Sequence, residues 1–252
     1  MASLSDAQVE RYSRQLILDG VGEAGQARLR LARVLVVGAG ALGSPVILYL
    51  AAAGIGRMTI IDGDAVELSN LSRQPVHREA DLGVAKAESA AAAARSLNSE
   101  VDVEAVSRRL SPEDATATVG AYDVVCDATD DFVIKFALND ACVGAGVPLV
   151  HAAVLQYGGQ LTTVVPGGPC YRCLFGDMPD PTTVPTCAQA GILGPVAAVV
   201  GGMQATEALK LVLGVGDPLS GRLLVYDGLR PRARIVDFQR DPACAAPHDP
   251  AL

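Results

Sequence analysis

Arg33-Val-Leu-Val-Val-Gly38-Ala39-Gly40-Ala41-Leu-Gly43-Ser-Pro45, running on to Met58-Thr-Ile-Ile-Asp62-Gly-Asp64, decides the fold. Val34 to Val37 form a continuous apolar run, as a strand covered on both faces requires. Gly38, Gly40 and Gly43 then fit the G-x-G-x-x-G pattern: a tight turn, a close approach of phosphate to backbone, and close packing of the next helix. Val46 to Gly54 reads as that helix, with Gly54 as its stop. Met58 to Ile61 reads as a second strand ending at Asp62, about twenty residues past the glycines, where a carboxylate can take ribose hydroxyls. This is a nucleotide site at the first crossover of a doubly wound sheet, and the pattern leaves NAD, FAD and ATP open.

Outward from this core, the elements keep alternating. Ser5 and Gln8 form a capping box for a first helix through about Leu18, and a short helix over Glu23 to Leu31 leads into the first strand. Lys86 opens an Ala-rich helix to about Asn98, followed by a strand over Val101–Val106. Ser111-Pro112 starts a short helix, and Tyr122–Asp127 is a fourth strand. A helix over Phe132–Ala145, strands over Pro148–Ala153 and Gln160–Val165, a helix over Gly194–Leu213 and a late hairpin (Arg222–Tyr226 with Ala233–Phe238) complete the series. The expectation is an α/β fold: a Rossmann-like, doubly wound mixed sheet with N-terminal helices and a C-terminal antiparallel extension. One domain would fill 1–252, with N-terminal helices in 1–32, the nucleotide-binding core in 33–165, and a Cys-rich loop, helix and hairpin in 166–252.

Composition narrows the function. The chain has 252 residues, half of them hydrophobic, so a sizeable core is available. The formal net charge of −8 argues against nucleic acid as a partner. Apolar runs are short or interrupted, as at Gly194-Pro195, so no membrane span is expected. The polar N-terminus lacks an apolar signal region, which implies a cytoplasmic location. There, the six cysteines read as metal ligands, thiols or core residues rather than disulfides.

The polar segment Glu67-Leu-Ser69-Asn70-Leu-Ser-Arg73-Gln74 lies directly beyond the second strand, at the edge where open α/β sheets bind ligands. An Arg and an Asn there can reach phosphates. Lys86 stands in the first turn of a helix, where a cation opposes the macrodipole; it is either a surface lysine or one placed for an anion. Asp127 and Asp130 end the fourth strand. They read as caps of the next helix, or Asp130 as a magnesium ligand, since hard cations take carboxylate oxygens. Arg14 reads by itself as a solvated charge. Cys126 and Cys142 fall on apolar faces and read as core. Cys170-Tyr-Arg-Cys173 is a C-x-x-C pair outside any thioredoxin-like context. Cys187, in a loop ahead of a helix, is either a thiol of lowered pKa or a small buried filler.

Arg11-Tyr-Ser-Arg14-Gln, Gly38-Ala-Gly-Ala-Leu-Gly43, Asp62-Gly-Asp64, Ser69-Asn-Leu-Ser-Arg-Gln74, Lys86, Thr129-Asp130, Cys170-x-x-Cys173 and Thr186-Cys187 occur in one order. Over nearly its whole length the chain resembles the bacterial adenylyltransferases that activate sulfur-carrier proteins (the MoeB and ThiF group), relatives of the ubiquitin-activating enzymes. No C-terminal rhodanese domain, which some relatives carry, is expected. The resemblance implies a homodimer that uses ATP and magnesium to adenylylate the C-terminal Gly-Gly of a small ubiquitin-like carrier, of the molybdopterin-synthase or thiamin type. A sulfurtransferase or cysteine desulfurase would be a further partner. By position, Gly38, Gly40, Ala41, Gly43, Asp62, Asp64, Ser69 and Gln74 would line the nucleotide. Asn70, Arg73 and Lys86 would hold the triphosphate and Asp130 the magnesium. Arg14 would reach the partner subunit's site, and Cys187 matches the sulfur-transfer cysteine.

Two positions depart from the family pattern. Asp131 stands beside the nucleotide where Asn is usual. Pro247 replaces the fourth zinc cysteine, leaving Cys170, Cys173 and Cys244, with His248 as the nearest substitute. The resemblance and the residue inventory agree in chemistry, because an ionised carboxylate needs no general base, only alignment and neutralised charge. The rival readings are an NAD-dependent oxidoreductase and a non-catalytic nucleotide-binding scaffold.

Overall fold

The computed structural model describes residues 4–179, 187–230 and 232–248, with the side chains of Cys187 and Ala188 outside that description. Helix α1 (Asp6–Leu16) begins at the expected capping box: Gln8 N–H donates to Ser5 Oγ at 3.3 Å, and Ser5 N–H to Gln8 Oε1 at 3.0 Å. It stops two residues short of Leu18, and α2 (Gly22–Leu31) leads into β1 (Arg33–Val37). Helix α3 (Gly43–Ala53) starts three residues earlier than its apolar run. Pro45 fits a first turn, where its missing N–H has no partner to lose. Gly54 ends α3 at φ +81°, a left-handed cap.

Strand β2 (Arg57–Ile61), α4 (Lys86–Leu97), β3 (Asp102–Val106), α5 (Pro112–Val119), β4 (Val124–Asp127) and α6 (Phe132–Ala145) follow. After them come β5 (Leu149–Leu155), β6 (Gly158–Val164), the short helices α7 (Tyr171–Phe175) and α8 (Cys187–Ala190), α9 (Gly194–Leu213), β7 (Arg222–Asp227) and β8 (Arg232–Asp237). All eight strands form one mixed sheet of order β3-β2-β1-β4-β5-β6-β7-β8. The first five are parallel, and β6, β7 and β8 add as an antiparallel extension. The chain winds from β1 toward β3 on one side and from β4 toward β5 on the other. The order therefore reverses between β1 and β4, and a crevice opens beyond their carboxyl ends.

Alternate residues of β1 feed two cores. Val34 and Val36 pack under α3, α4 and α9 with Ile47, Leu50 and Val200; Leu35 and Val37 pack under α5 and α6 with Leu138 and Cys142. Helix α9 corrects the expectation that no segment reaches spanning length: its 20 residues are long and apolar enough to cross a membrane. Here that apolarity serves packing, because Val196, Ala197, Val200, Ala205 and Ala208 are buried against α3, β5 and β6. A side chain at Gly201 would come within 2.4 Å of Pro45, so the two helices cross in close contact. Cys126 and Cys142 are fully buried core residues, as read from their apolar faces.

Candidate functional site

The glycine loop closes the carboxyl end of β1 at the switch point. Gly38 has φ +97°, and a Cβ there would lie 2.7 Å from Ala128 O, so the turn tolerates only glycine. A Cβ at Gly43 would fall 1.9 Å from Gly38 O, which is how α3 starts so close behind the turn. Gly40 differs from both. A Cβ there would meet only Gln74 Nε2, at 3.6 Å, so its backbone faces open space. Gln74 is buried, and its Oε1 has no hydrogen-bond partner among the described residues. An uncovered glycine backbone beside an orphaned buried acceptor fits an incoming polar ligand.

Between these glycines, Ala39 is held at both ends. Its N–H donates to Asp62 Oδ2 at 2.8 Å, while His77 Nε2 lies 2.9 Å from its carbonyl. Asp62 Oδ1 also accepts from Asp64 N–H at 2.8 Å, so this carboxylate shapes the loop and keeps lone pairs for further donors. His77, whose other ring nitrogen is 2.9 Å from Ser89 Oγ, is held below its ordinary pKa by burial and by nearby Lys86.

Lys86 is buried in the first turn of α4, and Asp64 relieves its conflict with the helix dipole. The Lys86 N–H donates to Asp64 O at 2.9 Å, and its Nζ lies 3.2 Å from Asp64 Oδ2. Arg109 reaches the other oxygen of Asp64 at 3.0 Å. Partial burial alone would raise the Asp64 carboxyl, but Lys86 and Arg109 bring it below its ordinary value. Beyond β2, Asn70 is buried and ties its turn by accepting Glu67 N–H at 3.1 Å. Arg73 donates to Ser69 O at 2.8 Å. The start of α9 fixes this turn from behind, since a Cβ at Gly194 would be 2.7 Å from Ser72 O.

Across the crevice stands the loop after β4. Neither Asp127 nor Asp130 caps α6; Asp131 does, accepting from Val133 N–H at 2.8 Å and Ile134 N–H at 3.3 Å. Asp130 is exposed and has no hydrogen-bond or ion-pair partner among the described residues, a free hard-oxygen donor of the kind magnesium takes. Asp127 is instead fully buried with Lys135 and His151. Burial alone would raise its carboxyl, but Lys135, His151 and Thr129 hold it well below the usual range.

Cys170, Cys173, Cys244 and His248 form a second centre, their ligand atoms all within 4.8 Å of one another. The Cys170–Cys173 and Cys170–Cys244 sulfur separations are both 3.7 Å, and His248 Nε2 is 3.3 Å from Cys173 Sγ. A zinc tetrahedron with Zn–S arms of about 2.3 Å has edges of roughly 3.8 Å, so this Cys₃His set fits zinc. Pro247 does not break the site: it packs beside Gly144 on α6, while the chain turns back through His248 N–H to Ala246 O at 2.8 Å. Asn139 of α6 secures the other arm by accepting Tyr171 N–H at 2.8 Å.

Arg14 lies exposed on α1 and has no polar partner among the described residues. Cys187 begins α8, but its side chain lies outside the description. The sequence reading missed His77, Arg109, Lys135 and His151. Only Lys135 carried a local signal, a lysine inside the apolar run Phe132-Val-Ile-Lys-Phe-Ala-Leu.

Comparison with known proteins gives concordant matches. The ThiF family model matches residues 12–246. The SAMP-activating enzyme E1 of Haloferax volcanii is 51% identical over 242 residues, covering 96% of this chain and 90% of the relative. The sulfur carrier protein adenylyltransferase of Thermus thermophilus is 47% identical over 243 residues, covering 94% and 90%. Adenylyltransferase and sulfurtransferase MOCS3 of Bos taurus is 50% identical over 247 residues, and this chain spans only 54% of its length. Among solved structures, Escherichia coli MccB with MccA-N7isoASN superposes with a TM-score of 0.83 at 25% identity, over 94% of this chain and 74% of that one.

Proposed function

Because the chain belongs to the ThiF family, we propose that it adenylylates the C-terminal Gly-Gly carboxylate of a small ubiquitin-like sulfur-carrier protein, a reading supported by its similarity to a sulfur carrier protein adenylyltransferase. The observation that carries this reading is the convergence at the switch point of an open glycine backbone, the orphaned Gln74 Oε1, buried Lys86 and unpaired Asp130. In this reading Asp62 takes the ribose hydroxyls. Asn70, Arg73 and Lys86 hold the triphosphate, Asp130 holds magnesium, and Gly40, Ala41 and Gln74 line the phosphates. The carrier carboxylate oxygen attacks the α-phosphorus; the bond to the bridging oxygen breaks, and pyrophosphate leaves with its electron pair. No proton has to be removed from the nucleophile, so the residues only align the reactants and neutralise charge. Magnesium, when bound, screens the phosphate charge. Cys187 serves a later sulfur-transfer step.

The test is pyrophosphate exchange, with Gly-Gly carriers from the same cell supplied one at a time. Exchange with ATP that requires a carrier, and none with NAD, supports the proposal. Binding of ATP and carrier without exchange makes the chain a scaffold, and reduction of NAD by a substrate makes it an oxidoreductase.

A further inference from the structure

Asp127 and Lys135 are an ion pair sunk in the core, with side chains 0% and 3% exposed and Nζ 3.1 Å from Oδ2. His151 Nδ1 lies 2.6 Å from the same oxygen, and Lys135 Nζ donates a second bond to Ala152 O at 2.8 Å. Such a pair loses hydration that its mutual attraction barely restores, so apolar residues of the same size would serve packing as well. The contacts of Asp127 show what the charge accomplishes. Its second oxygen, Oδ1, accepts both Thr129 N–H at 3.0 Å and Thr129 Oγ–H at 2.7 Å. Gln204 Nε2 on α9 holds its main-chain carbonyl at 2.8 Å, and Ala128 N–H is pinned to Val37 O at 2.9 Å. The two Thr129 bonds lead from the end of β4 into the loop that carries Asp130, and the others hold the strand end from which that loop starts.

We propose that Asp127, clamped by Lys135 and His151, is the positioning residue that fixes Thr129 and thereby sets where Asp130 presents its carboxylate to magnesium and nucleotide. This rests on the reading of Asp130 as a magnesium ligand. Hydrogen bonds to a charged acceptor are the strong ones, and Thr129 makes two on one oxygen. Without them the loop samples other positions, and bound metal must supply the ordering.

The experiment measures two quantities: the magnesium concentration that half-saturates ATP–pyrophosphate exchange, and, without carrier or turnover, the magnesium dependence of ATP binding by calorimetry. It compares wild type, Thr129→Val, Thr129→Ser, Lys135→Met, the Thr129→Val/Lys135→Met double variant and Asp130→Asn. Thr129→Val should raise the requirement about tenfold, as loss of one hydrogen bond to a charged group would. Its apparent KM for the carrier should stay unchanged, and Thr129→Ser should restore the wild-type requirement. Lys135→Met should act in the same direction, and the double variant should be no worse than Lys135→Met alone. Fully additive effects would mean that Thr129 touches the nucleotide by itself, which overturns the proposal. So does an unchanged magnesium requirement in Thr129→Val while Asp130→Asn is impaired. An unaffected Asp130→Asn enzyme overturns the magnesium reading and this inference together. If Lys135→Met fails to fold, the Thr129 pair decides, because that side chain lies in a loop at the sheet edge.

Discussion

Lys86 shows how much a single side chain can carry. A cation on the first turn of α4 is unfavourable beside the helix dipole, and Asp64 offsets it at 3.2 Å. Incoming triphosphate would replace that carboxylate with a stronger anion. Lys86→Ala should therefore lower ATP–pyrophosphate exchange by ~10²–10³ while the fold persists, measured by exchange rate alongside circular dichroism. His151 yields a prediction about stability. Burial holds its pKa near about 4, helped by Lys135 and opposed by Asp127, whereas in the unfolded chain it titrates near ~6.5. Between those values the unfolded state binds the extra proton, so stability is full above about pH 6.5 and falls as pH drops toward 4. Going from pH 7 to 5 should remove about 2 kcal/mol through this group. Urea midpoints at the two pH values should converge in a folded His151→Gln variant. Unequal legibility separates these two residues. Lys86 was visible because its conflict with the helix is local, whereas Asp127, Lys135 and His151 meet across 24 positions of sequence.

At the scale of elements, the glycine loop and the strand ends were readable because turn geometry and apolar runs act over a few residues. Caps were less so. Three aspartates in five positions could each open α6, and what decides is that Asp127 is drawn inward by Lys135, leaving Asp131 to take the two free N–H groups. In the C-terminal tail, Pro247 stands where the family pattern has a cysteine. Its contact beside Gly144 instead lets His248 reach the cysteines. Protein purified without chelator should carry about one zinc per chain, and His248→Ala much less, measured by elemental analysis. Equal zinc in both would remove His248 from the ligand set. Helix α8 carries the remaining thiol. Adenylylation forms no bond to sulfur, so Cys187→Ala should keep wild-type pyrophosphate exchange and lose only sulfur delivery to the carrier. Loss of exchange in that folded variant would contradict the division between the two steps.

The whole molecule opens its proposed nucleotide crevice beyond the carboxyl ends of β1 and β4 and carries Arg14 exposed on α1. Gln15, its neighbour, lines an open groove with Tyr49, Ala52, Val199 and Gly202 between α1, α3 and α9. Tyr49 and Val199 remain 60% and 37% exposed there, apolar area that a second copy would cover. We propose that a two-fold dimer builds on this face; Arg14 of each protomer would then face its partner, which would give an exposed arginine a role across the interface. The consequence can be measured by complementation. Arg14→Ala and Lys86→Ala homodimers should each be inactive in exchange. In a heterodimer of the two, one site then receives both defects and the other neither, so the purified heterodimer should regain about half the wild-type activity. Differently tagged subunits, purified by both tags in succession, establish that the heterodimer has formed. If it has formed and no exchange activity appears, Arg14 does not complete the partner's site.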